Sequence, residues 1–179
     1  MKSRIPCRIR YLFCLLTTLI SLLNGCASQN AATPLQKQAQ QSLSGIEHKA
    51  VREALQLQGH RYVLGGESPQ EGFDCSGLVY YVYGKHGLKL PRDTWSQANQ
   101  LPPVQNERRQ PGDLLFFNTA HQDSHVGIYI GDDHFVHAPS QHTGRVMVSS
   151  LQHPYWRLRF NAVRRPSATA HSQHAFAIH

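Results

Sequence analysis

The stretch Gly72-Phe73-Asp74-Cys75-Ser76-Gly77-Leu78-Val79-Tyr80-Tyr81-Val82-Tyr83 constrains this chain more than any other. A glycine-containing turn gives way to apolar residues at helical spacing, Leu78, Val79 and Val82, which predicts a helix with one face buried. Asp74 is suited to cap it, because its carboxylate can accept a hydrogen bond from an amide of the first turn that has no partner within the helix. Cys75 then falls in the first helical turn. There the partial positive charge of the helix N-terminus favours a thiolate and is expected to lower the thiol pKa. A packing cysteine would more often sit mid-helix among apolar neighbours, whereas a thiol at a helix start reads as a nucleophile, and a nucleophile needs a base elsewhere in the chain.

Cysteine usage sharpens that reading. Lys2, Arg4, Arg8 and Arg10 precede an apolar run from Tyr11 to Leu23 that is short for a membrane span, the pattern of a signal peptide over residues 1–25. It ends in Leu23-Asn24-Gly25-Cys26, which resembles a bacterial lipobox although Asn24 replaces the usual small or apolar residue. The resemblance implies cleavage before Cys26 and acylation of that cysteine; the alternative is an uncleaved N-terminal anchor on the same side of the membrane. Ala27 in place of aspartate, by likeness to enterobacterial lipoproteins, directs such a protein to the outer membrane. Of the four cysteines, Cys7 and Cys14 leave with the leader and Cys26 carries lipid, so Cys75 is expected to be the lone thiol of the mature domain. An exported compartment ordinarily pairs cysteines, and an unpaired one there needs a reason. The formal charge of +7 falls to about +3 once the four basic residues of the leader are removed. That argues against a nucleic-acid partner and leaves a mildly basic surface, suited to a polyanionic wall or membrane face.

Residues 26–44 are polar, Gln-rich and without periodicity, the composition of a flexible tether. Ile46, Ala50, Ala54, Leu55 and Leu57 recur at helical spacing before Gly59, which predicts a first helix from about Ser44 to Gln58. A short third helix is expected from Asp93 or Thr94 to Asn99. Beyond Pro102-Pro103 the pattern changes to short strands, at residues 113–117, 125–130, 134–138, 146–148 and 157–160, parted by turns at Pro111-Gly112, Gly131-Asp132-Asp133 and Thr143-Gly144. Helices first and strands after predict an α+β domain over residues 45–165, a mostly antiparallel sheet packed on the cysteine helix. Residues 166–179 read as a disordered tail.

Two histidines stand out among twelve. His125 opens one apolar strand and His137 lies in the next, flanked by Phe135, Val136 and Ala138. A tight Gly131-Asp132-Asp133 turn would pair these strands and let one imidazole orient the other, giving Cys75 a base and the base a support. A buried structural role remains the alternative for either ring, and the other histidines read as surface residues. Zinc ligation through His121 and His125, or His134 and His137, is the competing constellation. It lacks a His-Glu-x-x-His pattern, and the nearby Asp123, Asp132 and Asp133 read as turn formers, so neither a metal nor another cofactor is expected.

Taken together, Tyr62-x-x-Gly65-Gly66, Phe73-Asp74-Cys75-Ser76-Gly77-Leu78-Val79, Leu90-Pro91-Arg92, Gln97, Pro111-Gly112-Asp113-Leu114-x-Phe116, His125-Val126-Gly127-Ile128-Tyr129-Ile130-Gly131 and Phe135-x-His137-Ala138 resemble the NlpC/P60 family in content and order. The resemblance covers about residues 45–165, and the lipobox adds a likeness to the short enterobacterial lipoprotein type. It implies a papain-like fold and a cofactor-free cysteine peptidase of peptidoglycan stem peptides. Cys75 matches the nucleophile, His125 the base, His137 the orienting residue and Tyr62 a tyrosine near the oxyanion. Asp74 and Ser76 flank the nucleophile and are candidates for substrate contact, with helix capping as the alternative for Asp74. Arg92 is a candidate for a stem-peptide carboxylate or, equally, for an ion pair. Many members that cut between γ-D-glutamate and the diamino acid carry an SH3-like domain, for which no space is expected here. The scissile bond is therefore left between γ-D-Glu-diaminopimelate and the D-Ala-diaminopimelate cross-link. A catalytically silent wall-binding lipoprotein and a papain-like amidase or acyltransferase are the rival readings.

Overall fold

The first helix begins earlier than its apolar periodicity suggests. A computed structural model of the protein describes residues 34–167, and α1 spans Pro34–Gln56. The expected signal peptide, Cys26 and the tail beyond Ser167 lie outside the described residues. The part of the expected tether from residue 34 to 44 is therefore helical. Leu, Gln, Lys and Ala are strong helix formers, and no glycine interrupts them before Gly45. Proline is tolerated in a first turn, where its missing N–H would have no intrahelical partner. The helix and the turn after it bury Ala50, Ala54 and Leu57.

A small antiparallel hairpin, β1 (Glu67–Ser68) and β2 (Gly72–Phe73), leads into the cysteine helix α2 (Cys75–Lys85). Such short strands carry no periodic signal of their own. After the extended Leu90-Pro91 comes α3 (Thr94–Gln100), capped by Asp93, whose carboxylate accepts the Ser96 amide at 2.8 Å. The remaining strands are β3 (Pro103–Val104), β4 (Leu114–Phe117), β5 (His125–Gly131), β6 (His134–His137), β7 (Met147–Ser150) and β8 (Phe160–Arg164). They form one six-stranded sheet in the order β3-β8-β4-β5-β6-β7, antiparallel throughout.

The expected strand at residues 157–160 is a misreading. Arg157, Leu158 and Arg159 belong to α4 (Pro154–Arg159), and only Phe160 is in a strand, as the first residue of β8. Arg157-Leu158-Arg159-Phe160 alternates polar and apolar as a strand would, yet the start signal lies just upstream. The His153 side chain accepts the Tyr155 amide as a cap, and Pro154 sits in the first turn. Leu158, which the strand reading would have buried, is 78% exposed.

The helix α4 matters because it covers the second face of the sheet. In β4 all four residues are buried and alternate between two cores. Leu114 and Phe116 pack with Val126, Ile128 and Val136 against Leu78, Val79 and Val82 of α2. Leu115 and Phe117 pack with Tyr129, Phe135 and Val163 under Trp156 and Phe160. Each fully buried Phe or Leu contributes about 2–3 kcal/mol of transfer free energy. A strand buried on both faces reads as an unbroken apolar run, which explains Leu-Leu-Phe-Phe. The far end of the site helix is pinned by the Tyr83 hydroxyl, which donates to the Gly112 carbonyl. Next to it, Arg165 grips Asp113 with two hydrogen bonds of 2.7 and 2.8 Å. No helix among the described residues is long and apolar enough to cross a membrane.

Candidate active site

The site is built where the start of α2 meets the start of β5. Asp74 is extended, at φ −91° and ψ 178°, and caps the helix as expected, its Oδ1 accepting the Gly77 amide at 2.7 Å. Its other oxygen accepts the Gly65 amide at 2.8 Å. Arg92 closes the arrangement. Its Nη1 donates to Asp74 Oδ1 and to Ser76 Oγ, both at 3.0 Å, and its Nη2 donates to Asp74 Oδ2 and the Gly66 carbonyl at 3.1 and 3.2 Å. The Nε–H goes to Glu67 at 2.6 Å. All guanidinium donors are thereby engaged within the protein, in the ion pairs that were one of the two expectations for Arg92. Ser76 Oγ also donates to Asp74 Oδ1 at 3.2 Å. Burial opposes ionisation of Asp74, but Arg92 and the Gly77 amide outweigh it and hold the carboxyl below its usual range. Gly77 makes this close meeting possible, since a Cβ there would lie 2.1 Å from the Gly66 carbonyl oxygen.

Cys75 is the free thiol of the described residues and is partly exposed. Its expected acidification by the helix terminus is not what the structure gives. Burial on the protein side pushes the thiol up to about 11, against the lowering effect of the Val126 and Ser76 amides. Desolvation of a thiolate outweighs the partial charges of a helix end, which are worth a fraction of a kcal/mol to about 2 kcal/mol. The Val126 amide contact sets the sulfur beside the first residues of β5. Tyr62 lies against the same core as Cys75. Burial raises its phenol first, followed by the charges of Cys75 and Asp74.

His125 and His137 are brought together as the turn predicted. Asp132 and Asp133 both adopt positive φ, 48° and 58°, the conformation that a two-residue hairpin loop between right-twisted strands requires. With β5 and β6 so paired, His125 Nε2 lies 2.8 Å from His137 Nδ1. Gly127 leaves room for the pair, because a Cβ there would stand 2.5 Å from the Phe135 ring and 3.3 Å from His137 Cβ. The rings are buried, at 3% and 0% exposure. Burial pulls His125 down to about 4, and burial together with the charge of His125 pulls His137 well below its ordinary value. At neutral pH the thiol and both imidazoles are therefore uncharged.

Two contacts escaped the sequence. The Trp156 indole stacks on His125 at 5.3 Å between ring centroids and meets His137 edge-on at 4.7 Å. Its only local signal is the His153-Pro154 helix start. Ser149 Oγ lies 2.8 Å from His137 Nε2, and only the register of β6 with β7, which pairs Phe135 with Ser149, could have revealed it. The zinc alternative fares differently. His121 and His134 each turn Nδ1 to a backbone carbonyl, of Gln122 and Asp132 respectively. Among the described residues no three His, Cys, Asp or Glu side chains gather as a metal site.

Known proteins share this fold. The profile of the NlpC/P60 family matches residues 59–165. The murein DD-endopeptidase MepS/murein LD-carboxypeptidase of Escherichia coli K12 is 43% identical over 108 residues, covering 60% of this chain and 56% of that protein. A probable endopeptidase of Haemophilus influenzae is 46% identical over 110 residues, covering 60% of this chain and 66% of its own length. The chain thus spans less than two thirds of these relatives. Among solved structures, an NlpC/P60 family protein from Bacillus cereus superposes with a TM-score of 0.63 at 31% identity, over 67% of this chain and 40% of the other. The peptidoglycan hydrolase RipB of Mycobacterium tuberculosis gives a TM-score of 0.61 at 26% identity, over 71% and 67%. With the family profile matching residues 59–165 and the α+β papain-like fold shared with its solved members, this chain belongs to the NlpC/P60 family.

Proposed function

We propose that this protein is a cysteine endopeptidase that hydrolyses an amide bond in peptidoglycan stem peptides or their cross-links. The observation that carries the reading is a partly exposed thiol at a helix start, beside the first residues of β5, together with the buried imidazole pair of β5 and β6 joined at 2.8 Å. The endopeptidase names of the relatives support the substrate class.

In this reaction Cys75 is the nucleophile and His125 its base. With both groups neutral at rest, His125 takes the thiol proton as the sulfur attacks the amide carbonyl, so no stable ion pair has to persist in the dry site. The oxyanion is met by amides at the start of α2, aided by the Tyr62 hydroxyl. The protonated His125 then gives its proton to the leaving amine. Water, activated by the same ring, releases the acyl-enzyme. His137 orients His125. Asp74, Ser76 and Arg92 hold the helix start in place, a bracing role that their mutual hydrogen bonds support. No cofactor is invoked. The leader, the acylated Cys26 and residence on the periplasmic face of the outer membrane complete the proposal, resting on the basic and apolar N-terminus and its lipobox.

Mass spectrometry of muropeptides, after digesting purified diaminopimelate-type peptidoglycan with the full chain and with Cys75→Ala, tests it. Conversion of cross-linked dimers to monomers by the wild type alone identifies a D,D-endopeptidase. Dipeptide stems identify cleavage after γ-D-glutamate. Intact stems released from glycan identify an amidase instead, and peptidoglycan untouched by both proteins overturns the peptidase reading in favour of a binding role.

A further inference from the structure

The histidine pair does not end at His137. His125 Nε2 and His137 Nδ1 are 2.8 Å apart and share one proton, and His137 Nε2 lies 2.8 Å from Ser149 Oγ. A neutral imidazole carries one N–H and one lone pair, so the direction of one bond fixes the next. If His125 donates to His137, His125 Nδ1 keeps its lone pair and can accept a thiol proton. His137 must then carry its own proton on Nε2 and find an acceptor for it. If instead His137 Nδ1 donates, His125 is left with a proton on Nδ1 and cannot act as the base.

The reaction makes the first arrangement obligatory. Once His125 has taken the Cys75 proton, both of its nitrogens bear hydrogen, so His137 Nδ1 has to accept. The proton balance is simple: the thiol proton moves from sulfur to His125 Nδ1 and later to the leaving amine, while the two bonds beyond are polarised and transfer nothing. His137 is fully buried, and an unpaired N–H there has no solvent to turn to. Among the described residues, burial is the one influence on His125 and the charge of His125 the one ionic influence on His137, so no carboxylate there takes the acceptor's part. Ser149 is placed for it by the pairing of β6 with β7, directly across from Phe135 and diagonal to His137 on the same face.

We propose that Ser149 is a positioning residue for the reaction: its hydroxyl oxygen accepts the Nε2 proton of His137 and so keeps His125 in the tautomer that can deprotonate Cys75. This rests on the Cys75–His125 reading above.

The test combines long-range 1H–15N spectra of the histidine rings with cleavage of purified peptidoglycan, in the full chain, for wild type, Ser149→Ala, Ser149→Thr and Cys75→Ala. In the wild type both rings are expected as the Nε2–H tautomer. Ser149→Ala shifts His125 toward Nδ1–H and lowers kcat roughly ten- to a hundredfold with little change in KM. Ser149→Thr keeps the oxygen and restores both readouts, and matching melting curves separate the effect from misfolding. An inert Cys75→Ala together with a Ser149→Ala of wild-type tautomers and kcat overturns this inference alone. A Cys75→Ala that still cleaves overturns the catalytic reading and this inference with it.

Discussion

Two glycines of the same helix should respond to alanine with opposite signs. A Cβ at Gly77 would stand 2.1 Å from the Gly66 carbonyl oxygen, more than an ångström inside the ordinary contact distance of 3.4 Å, and 2.9 Å from Arg92 Nη2. The obstacle is backbone, and it is tied down. That oxygen accepts the Asp74 amide at 3.0 Å and Arg92 Nη2 at 3.2 Å. Relieving the clash therefore costs about 1–3 kcal/mol of overpacking and about 1–2 kcal/mol of weakened hydrogen bonds. The gain in helix propensity returns about 1 kcal/mol. The net loss for Gly77→Ala is about 1–4 kcal/mol, a fall in Tm of roughly 3–15 °C. At Gly84 nothing lies within 4 Å of the same added atom. Gly84→Ala should therefore stabilise by about 0.5–1 kcal/mol through backbone entropy alone. Urea and thermal unfolding of the full chain measure both. A Gly77→Ala protein that melts at or above wild type refutes the close-approach argument.

Three further outcomes follow from the burial of the site. With the thiol raised to about 11, alkylation of Cys75 by iodoacetamide should climb about tenfold per pH unit through and beyond neutrality; a plateau reached below neutral pH would reveal a stable thiolate–imidazolium pair and refute the neutral resting state. His125 has a folded pKa of about 4 against 6.5 for the free side chain. The unfolded chain thus binds the extra proton, and the contribution of this group to stability is complete above 6.5 and lost as pH falls toward 4, by about 3 kcal/mol. Urea midpoints compared across that window should show the loss, and His125→Asn should remove it. Removing the indole that stacks on His125 admits water, so Trp156→Ala should raise the His125 pKa toward its ordinary value in an NMR titration, while Trp156→Phe leaves it low.

What could be read in the sequence was local. Asp74, Cys75 and the apolar spacing after them lie within a few residues of one another, so cap, helix and thiol position followed directly. The His125–His137 meeting was accessible because a two-residue turn fixes its own register. Ser149 and Trp156 were not, since each reaches the histidines through a different element whose placement depends on the whole sheet. The strand expected at Arg157–Phe160 shows how a short alternating run fits either period until its cap is weighed. The thiol pKa was misjudged for a related reason. The helix terminus is visible in sequence, but the packing that desolvates the sulfur is assembled from β5 and the core. Arg92 looked available because none of its partners is near it in sequence; Glu67, Gly66, Asp74 and Ser76 all come from upstream.

The sheet separates the two halves of the proposed chemistry. The thiol rides on the helix layer of one face, whereas both histidines lie on the other, against Trp156 and Phe117. Each face has its own hydrophobic core. A chain that has closed only one of them lacks either an aligned nucleophile or an aligned base. Under the proposed mechanism the arrangement would work as a safety catch: the site becomes competent only when α4 has docked on its own face of the sheet.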